Sequence, residues 1–299
     1  MIITARLHKS YEWREHSAAI YCVCAGRTDS TFFSAGGDRL VVEWNVKSKV
    51  QEPFAVRLEQ PAYAVLFTPE NNFLWIGSST GHLHIIDVNE RLEFKNFTTH
   101  QNGIFDLRYD PVNRVVYAAG GDGLLSVYSI NGEWIRTIPV APGKIRQLAL
   151  HHSEKKLALA CGDGTVRVFE TNFLNEIETL HAHEESATAV CWHPTKEVLL
   201  TGGKDARLKA WHQQELMLDL PAHNYAIYSI APTLLNGQVL IATSSRDKTI
   251  KLWDGHDLSP LQRLDQGAHS HSVNRLLWIT PQLLVSSSDD RRLILWDLQ

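Results

Sequence analysis

With 299 residues, 44% of them hydrophobic and 21% charged, the chain has an ordinary globular composition and length enough for one large all-β domain or two average ones. A formal net charge of −4 supplies no basic field, which argues against nucleic acid or an anionic membrane as partner. The four cysteines (Cys22, Cys24, Cys161, Cys191) make no C-x-x-C pair and no disulfide spacing, so a reducing, cytoplasmic location is expected.

The opening MIITARLHKS has only a short apolar run before charge appears, so a signal peptide is not expected and the chain is expected to begin at its first fold element. No later run approaches a membrane span. Residues 2–13, IITARLHKSYEW, form one alternating segment. Seven versions of a single sentence follow in chain order. They are AGGDRLVVEWN ending at Asn45, SSTGHLHIID at Asp87, GGDGLLSVYS at Ser129, CGDGTVRVFE at Glu170, GGKDARLKAWH at His212, SSRDKTIKLWD at Asp254 and SSDDRRLILWD at Asp297. The closing aromatic or apolar residues are Trp44, Ile86, Tyr128, Phe169, Trp211, Trp253 and Trp296, in steps of 42, 42, 41, 42, 42 and 43. Such a period marks a propeller or a solenoid.

Alternation decides between the two. In TIKLW and LILW successive residues switch faces, which is strand periodicity, and Gly, Asp and Asn around them mark hairpins. Each unit reads as four short strands, with no helical stretch to interleave. A four-stranded unit cannot bury both faces alone, so the units stack radially. The expected fold is all-β: a seven-bladed β-propeller of four-stranded antiparallel blades, one domain over residues 1–299. The blades fall near 14–57, 58–98, 99–139, 140–181, 182–221, 222–265 and 266–299. The last of these runs out after its LWDL strand, and residues 2–13 are expected to supply the missing edge and close the ring.

Together these motifs resemble the WD-repeat seven-bladed propeller family, and the resemblance covers the whole chain. Only residues 253–254 and 296–297 carry a literal Trp-Asp. The family's Gly-His survives as a His after a non-Gly residue at His16, His100, His183, His223 and His269. In four blades a His, a Ser or Thr, an Asp and a Trp recur in fixed order. The sets are His16, Ser34, Asp38 and Trp44; His183, Thr201, Asp205 and Trp211; His223, Thr243, Asp247 and Trp253; and His269, Ser286, Asp290 and Trp296. The resemblance implies a hydrogen-bonded tetrad running from carboxylate through imidazole and hydroxyl to indole. Four copies argue against a hydrolase triad, since catalysis needs one site. Blades 2 (Thr80) and 4 (Asp163) lack the full set and are expected to be softer.

Other motifs invite chemistry that their context does not support. GGDG at 120–123, CGDG at 161–164 and GGKD at 202–205 sit in hairpins with no following Lys-Ser/Thr or helix, so they are not phosphate loops. Histidines share strand faces at His82 and His84, at His181 and His183, and at His269 and His271, but without carboxylate or thiolate at ligand spacing; no metal and no cofactor are expected. Cys22 and Cys24 read as buried small apolar residues. Asp106 is the only carboxylate in the inner stretches IYCVCA, AYAVLF, IFDLRY, KIRQLAL, ATAVCW, IYSIAP and VNRLLW, so no acid/base pair is expected to face the pore and no enzyme is expected.

Function is sought at the mouth of the channel. In the family, the residue five after the blade His opens the inner strand and resembles the positions displayed there. That column reads Tyr21, Tyr63, Phe105, Arg146, Thr188, Tyr228 and Asn274. Flanking columns add Pro61 and Lys144, and Lys204, Arg246 and Asp289. The expected function is a non-enzymatic scaffold, a monomer by itself, binding an extended acidic peptide or acidic protein loop through Tyr21, Tyr63, Phe105, Lys144, Arg146, Lys204, Tyr228 and Arg246. The alternative outcomes are rings that only plug the channel, or a small-anion binder or enzyme using Arg108, Arg146 and Arg275.

Overall fold

The computed structural model describes residues 5–151, 153 and 155–299, and every regular element among them is a β-strand. No helix long and apolar enough to cross a membrane occurs among the described residues. The first described element is β1 (Leu7–Trp13). Blade 1 follows as β2 (Ile20–Ala25), β3 (Thr31–Gly36), β4 (Leu40–Asn45) and β5 (Gln51–Arg57). Blade 2 is β6 (Ala62–Thr68), β7 (Phe73–Ser78), β8 (His82–Asp87) and β9 (Leu92–Thr98). Blade 3 is β10 (Ile104–Asp110), β11 (Val115–Gly120), β12 (Leu124–Ser129) and β13 (Trp134–Pro139). Blade 4 is β14 (Ile145–His151), β15 (Lys156–Cys161), β16 (Thr165–Glu170) and β17 (Glu176–His181). Blade 5 is β18 (Ala187–Trp192), β19 (Leu199–Gly203), β20 (Arg207–His212) and β21 (Glu215–Pro221). Blade 6 is β22 (Ile227–Leu235), β23 (Gln238–Ser245), β24 (Ile250–Asp254) and β25 (Pro260–Leu264). Blade 7 takes β26 (Val273–Thr280), β27 (Leu283–Ser288) and β28 (Leu293–Leu298) and borrows β1 as its fourth strand.

Each blade is an antiparallel meander, and the inner strands β2, β6, β10, β14, β18, β22 and β26 neighbour one another in that order, with β26 returning to β2. The closure expected of residues 2–13 is present from Leu7 onward, with Leu7 opposite Leu298 and Trp13 opposite Leu293; residues 2–4 lie outside the described residues. Gln262 of blade 6 clamps the start of this strand, accepting from the Leu7 amide at 2.7 Å and donating to its carbonyl at 3.0 Å.

The repeat period has a packing cause. Seven hydrophobic clusters each join two adjacent blades, and each contains one of the period-marking residues. Trp44, for example, packs with Phe32 and Val42 against Val285, Leu293 and Leu295 of blade 7. One repeat therefore corresponds to one interblade interface. The edges of the inner strands are also clasped across blades. Asp106 accepts the Leu148 amide at 2.9 Å, Gln147 the Val190 amide at 2.9 Å and Ser229 the Leu276 amide at 3.3 Å. Buried backbone donors that no ladder reaches are satisfied this way.

Hydrogen bonds join the members of all four tetrads. His16 Nδ1 lies 2.7 Å from Asp38, its Nε2 2.7 Å from Ser34 Oγ, and Trp44 Nε1 donates to the same hydroxyl at 2.7 Å. In blade 5, Thr201 Oγ1 lies 3.0 Å from His183 Nε2 and accepts from Trp211 Nε1 at 3.0 Å. In blade 6, Thr243 Oγ1 lies 2.8 Å from His223 Nε2 and accepts from Trp253 at 2.9 Å. In blade 7, Ser286 Oγ lies 2.8 Å from His269 Nε2 and accepts from Trp296 at 2.9 Å. Ser34, Thr201, Thr243 and Ser286 are each 0% exposed, on the second strand of their blades. Their hydroxyls are internal fastenings of the fold, closed to any ligand.

The incomplete blades differ in kind. Blade 2 puts Leu58, Ile76 and Ile86 at the His, Ser/Thr and Trp places, all buried in one cluster. Replacing a buried ionic network by apolar side chains is often neutral or stabilising, so the softness expected of this blade does not follow from its missing tetrad. Blade 4 keeps only Asp163, which accepts the Thr165 amide at 3.0 Å and its hydroxyl at 2.7 Å. Blade 3 is half-satisfied. His100 meets Asp122 at 3.1 Å, but Ala118 stands at the hydroxyl place and His100 Nε2 has no partner among the described residues.

Two predictions arise here. Asp247 accepts from His223 at 3.0 Å and from the Asn224 and Thr249 amides, both at 3.0 Å. Asp257 is exposed and, although no partner was expected for it, caps the Ser259 amide at 2.8 Å. Asp247→Ala removes the acceptor shared by the His223 imidazole, the Thr249 hydroxyl and the two amides and is expected to cost about 1–3 kcal/mol. Asp257→Ala removes one exposed turn contact, so its melting temperature should stay well above that of Asp247→Ala; equal melting would show that the tetrad carboxylate is not structural.

The second prediction concerns pH. Burial lowers the pKa of His223 and His269 despite the opposing carboxylates. Burial alone would raise Asp247 and Asp290, but donors from His223 or His269 and from neighbouring groups hold both well below the usual carboxylate range. The folded protein thus favours neutral imidazoles and charged carboxylates. The histidine contribution is fully present above the unfolded value of about 6.5 and is lost as pH falls through the lowered folded values. The carboxylate contribution persists to lower pH before it too is lost. Calorimetric scans should show the melting temperature falling between pH 7 and 5, and a rise over that window would contradict the assignment.

Candidate interaction site at the channel mouth

Each inner strand opens with a β-bulge at the same place. Ile20 pairs with Gly36 and Cys22 with the next residue, Ala35, leaving Tyr21 outside the ladder. The same skip leaves out Tyr63, Phe105, Arg146, Thr188, Tyr228 and Asn274 in the other six blades. A bulge bends the strand and re-aims the extra side chain. The residue before each bulge is buried, while all seven bulge residues are half-exposed. All seven line one cavity of about 450 Å³.

The predicted site residues can now be placed. Tyr21, Tyr63, Phe105, Arg146, Lys204, Tyr228 and Arg246 line this cavity. Lys144 does not; its ammonium lies 5.3 Å from the centroid of Phe105. The tetrad residues do not line it either. Ser34, Thr201, Thr243 and Ser286 lie fully buried inside their blades, so these motif residues belong to the scaffold and not to a binding surface. The rings form a continuous arc, Tyr21 to Tyr63 edge-on at 5.3 Å and Tyr63 to Phe105 at 5.4 Å. Glycines make room for them: a Cβ at Gly121 would come within 2.8 Å of the Phe105 ring and 2.2 Å of the Asn102 carbonyl. Ser186, Ala226, Asn274, Arg275 and Asp289 complete the lining. Ser186 and Ala226 stand two before their bulges, in the column that contains Pro61 and Lys144, so register could have found them. Tyr225, exposed and 6.0 Å from the Arg246 guanidinium, has no such signal because it lies in the loop before β22.

The cations are unequal. Lys204 pairs with Glu185, and Asp289 accepts from Asn274 at 2.8 Å. Arg146 lies over the Phe105 ring at 5.3 Å, and its Nε is buried without a hydrogen-bond partner among the described residues. Burial lowers its pKa, with Tyr228 opposing. The other two arginines of the channel alternative are occupied: Arg275 meets Asp106 at 2.8 Å and Arg108 meets the same carboxylate at 3.5 Å. That leaves one unpaired arginine where three were needed.

A larger space of about 680 Å³ lies between the outer parts of blades 1 and 2. Its two histidines are already paired, His84 with Glu93 at 2.7 Å and His82 with Thr98 at 3.2 Å. Among the described residues no three His, Cys, Asp or Glu side chains converge as metal ligands. Burial pushes the Cys22, Cys161 and Cys191 thiols up to about 12, which leaves them protonated and poor nucleophiles at neutral pH.

Comparison with known proteins matches this architecture. The chain is 31% identical to the nuclear distribution protein nudF of Aspergillus niger over 123 residues, 40% of this chain and 28% of the relative. It is 25% identical to Gem-associated protein 5 of Mus musculus over 244 residues, 76% of this chain and 16% of the relative. It is 30% identical to the nuclear distribution protein PAC1 of Arthroderma otae over 130 residues, 40% and 28% of the two chains. This chain thus spans less than a third of the length of each relative. The family model described as WD domain, G-beta repeat, matches residues 7–45, 92–129, 132–170, 174–212, 214–254 and 259–297, leaving out much of blade 2, where the tetrad is apolar. With most of its length matched and seven closed blades, the chain belongs to the WD40-repeat family.

Proposed function

We propose that the protein is a non-enzymatic interaction platform, one propeller domain acting as a monomer in the cytoplasm, that binds an extended acidic protein segment at the channel mouth. The observation that carries this reading is Arg146, a partly buried guanidinium with an unpaired Nε inside a ring of seven bulge residues. A buried charge without a partner is costly, and a ligand carboxylate or other anion would satisfy it. The Tyr21, Tyr63 and Phe105 rings supply apolar contact beside it, and Tyr and Arg dominate the energetics of protein interfaces.

The test is affinity purification of the native protein, followed by binding measurements on the partner recovered. Tyr63→Ala and Arg146→Ala are each expected to weaken binding by about 2 kcal/mol, roughly thirtyfold, with the melting temperature nearly unchanged. Arg146→Ala should also flatten the salt dependence, since one screened attraction is gone. A partner held at full strength by the double variant would move the site to a blade side or the opposite face and leave the arc as a plug.

A further inference from the structure

The cavity is divided by charge. Arg146, Lys204 and Arg246 come from blades 4, 5 and 6 and line one continuous sector. Phe105 of blade 3 bounds that sector on one side; on the other stand Asp289 and Arg275 of blade 7, the arginine already paired with Asp106 at 2.8 Å. Lys204 is already paired with Glu185, whereas Arg146 and Arg246 have no carboxylate within ion-pair distance among the described residues. Tyr228 lines the same sector. Two guanidinium groups and a phenol ring thus line one space, and among the described residues the Arg146 Nε is buried without a hydrogen-bond partner. Each guanidinium is held by an aromatic ring, Arg146 over Phe105 at 5.3 Å and Arg246 beside Tyr225 at 6.0 Å.

Deepening the interaction reading above, on which this step rests, we propose that the anion taken at the mouth is a phosphate monoester on a protein segment, seated between Arg146, Arg246 and Tyr228. Charge matching favours it. One carboxylate would leave one of the two guanidinium charges unmatched, whereas a phosphorylated side chain carries about −1.5 to −2 at neutral pH and three strong acceptor oxygens. Planar guanidinium forks suit phosphate oxygens, and two of them can share one group. Asp289 repels the anion from blade 7 and so confines it to the cation sector. The residue next to the phosphorylated one then packs on the Tyr21–Tyr63–Phe105 arc.

The experiment uses the whole protein and three probes: a degenerate peptide library centred on phosphoserine and phosphothreonine, the same library centred on Glu-Glu, and inorganic phosphate. The phosphorylated library is expected to bind at least tenfold tighter than its phosphatase-treated form and than the Glu-Glu library. Arg146→Gln and Arg246→Gln should each remove that advantage at an unchanged melting temperature, and Arg146→Lys should restore only part of it. Equal binding of the Glu-Glu library would overturn the phosphate assignment while leaving the acidic-segment reading intact. Inorganic phosphate binding as tightly as the peptides would overturn the protein-borne source, making this a small-anion site. Failure of both libraries, or binding indifferent to Tyr63→Ala, would overturn the assignment together with the mouth itself.

Discussion

Deleting residues 1–13 is expected to make the protein insoluble or to lower its melting temperature steeply. β1 is the fourth strand of blade 7 and covers the edge of β28. It buries Leu7 and Trp13, each 1% exposed, and Trp13 packs on Phe32 at 5.5 Å and Trp44 at 6.0 Å. Emptying the site of one buried Trp costs about 3–5 kcal/mol and of one Leu about 2–5 kcal/mol. Their sum is comparable to the total stability of an ordinary domain, about 5–15 kcal/mol. The deletion also bares β28 as an unpaired edge, which invites association between molecules. Trp13→Ala separates the two effects, because it empties the core site but keeps the strand. A thermal melt of the deletion variant that overlays the wild type would sink the closure model.

Arg27→Ala is expected to be the most damaging single change at a partly exposed residue. Glu43 on β4 has a fully buried side chain, and its carboxylate meets the Arg27 guanidinium at 2.6 Å. Its counterparts immediately before the period-marking residues are Ile85, Val127, Val168, Ala210, Leu252 and Leu295, so Glu43 occupies an apolar column. Removing one partner of a buried pair costs about 3–5 kcal/mol, because the other charge is left stranded. Arg27 is 37% exposed, so water entering behind it should hold the loss near about 3 kcal/mol. Arg27→Ala/Glu43→Leu should recover most of that stability by restoring the pattern of the other blades. If denaturant melts place the double variant below Arg27→Ala, the pair is not what the carboxylate needs.

Much of this molecule could be read in the chain because one packing solution is used seven times. The residue that ends each repeat is a large side chain in an interblade cluster, so its recurrence reports the interface directly. The tetrads were legible for a related reason, since a hydrogen-bonded relay from the loop before the inner strand through the next two strands and their turn demands fixed spacing. Features set by pairing or by distance across the ring leave no residue-type signature, and the bulge column was legible only through its offset from the blade His. Tyr, Phe, Arg, Thr and Asn all occupy the bulge, because a bulge is defined by what its partner strand pairs with and not by its own side chain. Arg275 and Asp106 lie 169 positions apart and meet only because the channel is narrow enough to bridge, which turns an apparent anion ligand into a structural pair. Glu43 leaves no sign in the sequence, because one carboxylate in an apolar column looks like an exposed position until the Arg27 beside it is known.

Because the seven mouth residues stand outside the hydrogen-bond ladder, their identity is uncoupled from the pairing register that holds each blade together. A substitution there alters the lining of the mouth while the backbone pairs on either side keep their partners. The ring is in that sense a turret with seven interchangeable fittings. Directed variation confined to Tyr21, Tyr63, Phe105, Arg146, Thr188, Tyr228 and Asn274 should yield folded proteins at high frequency and new binding preferences among them. Variation spread over the flanking residues Ile20, Ala62, Ile104, Ile145, Ala187, Ile227 and Val273, all fully buried, should mostly yield aggregates.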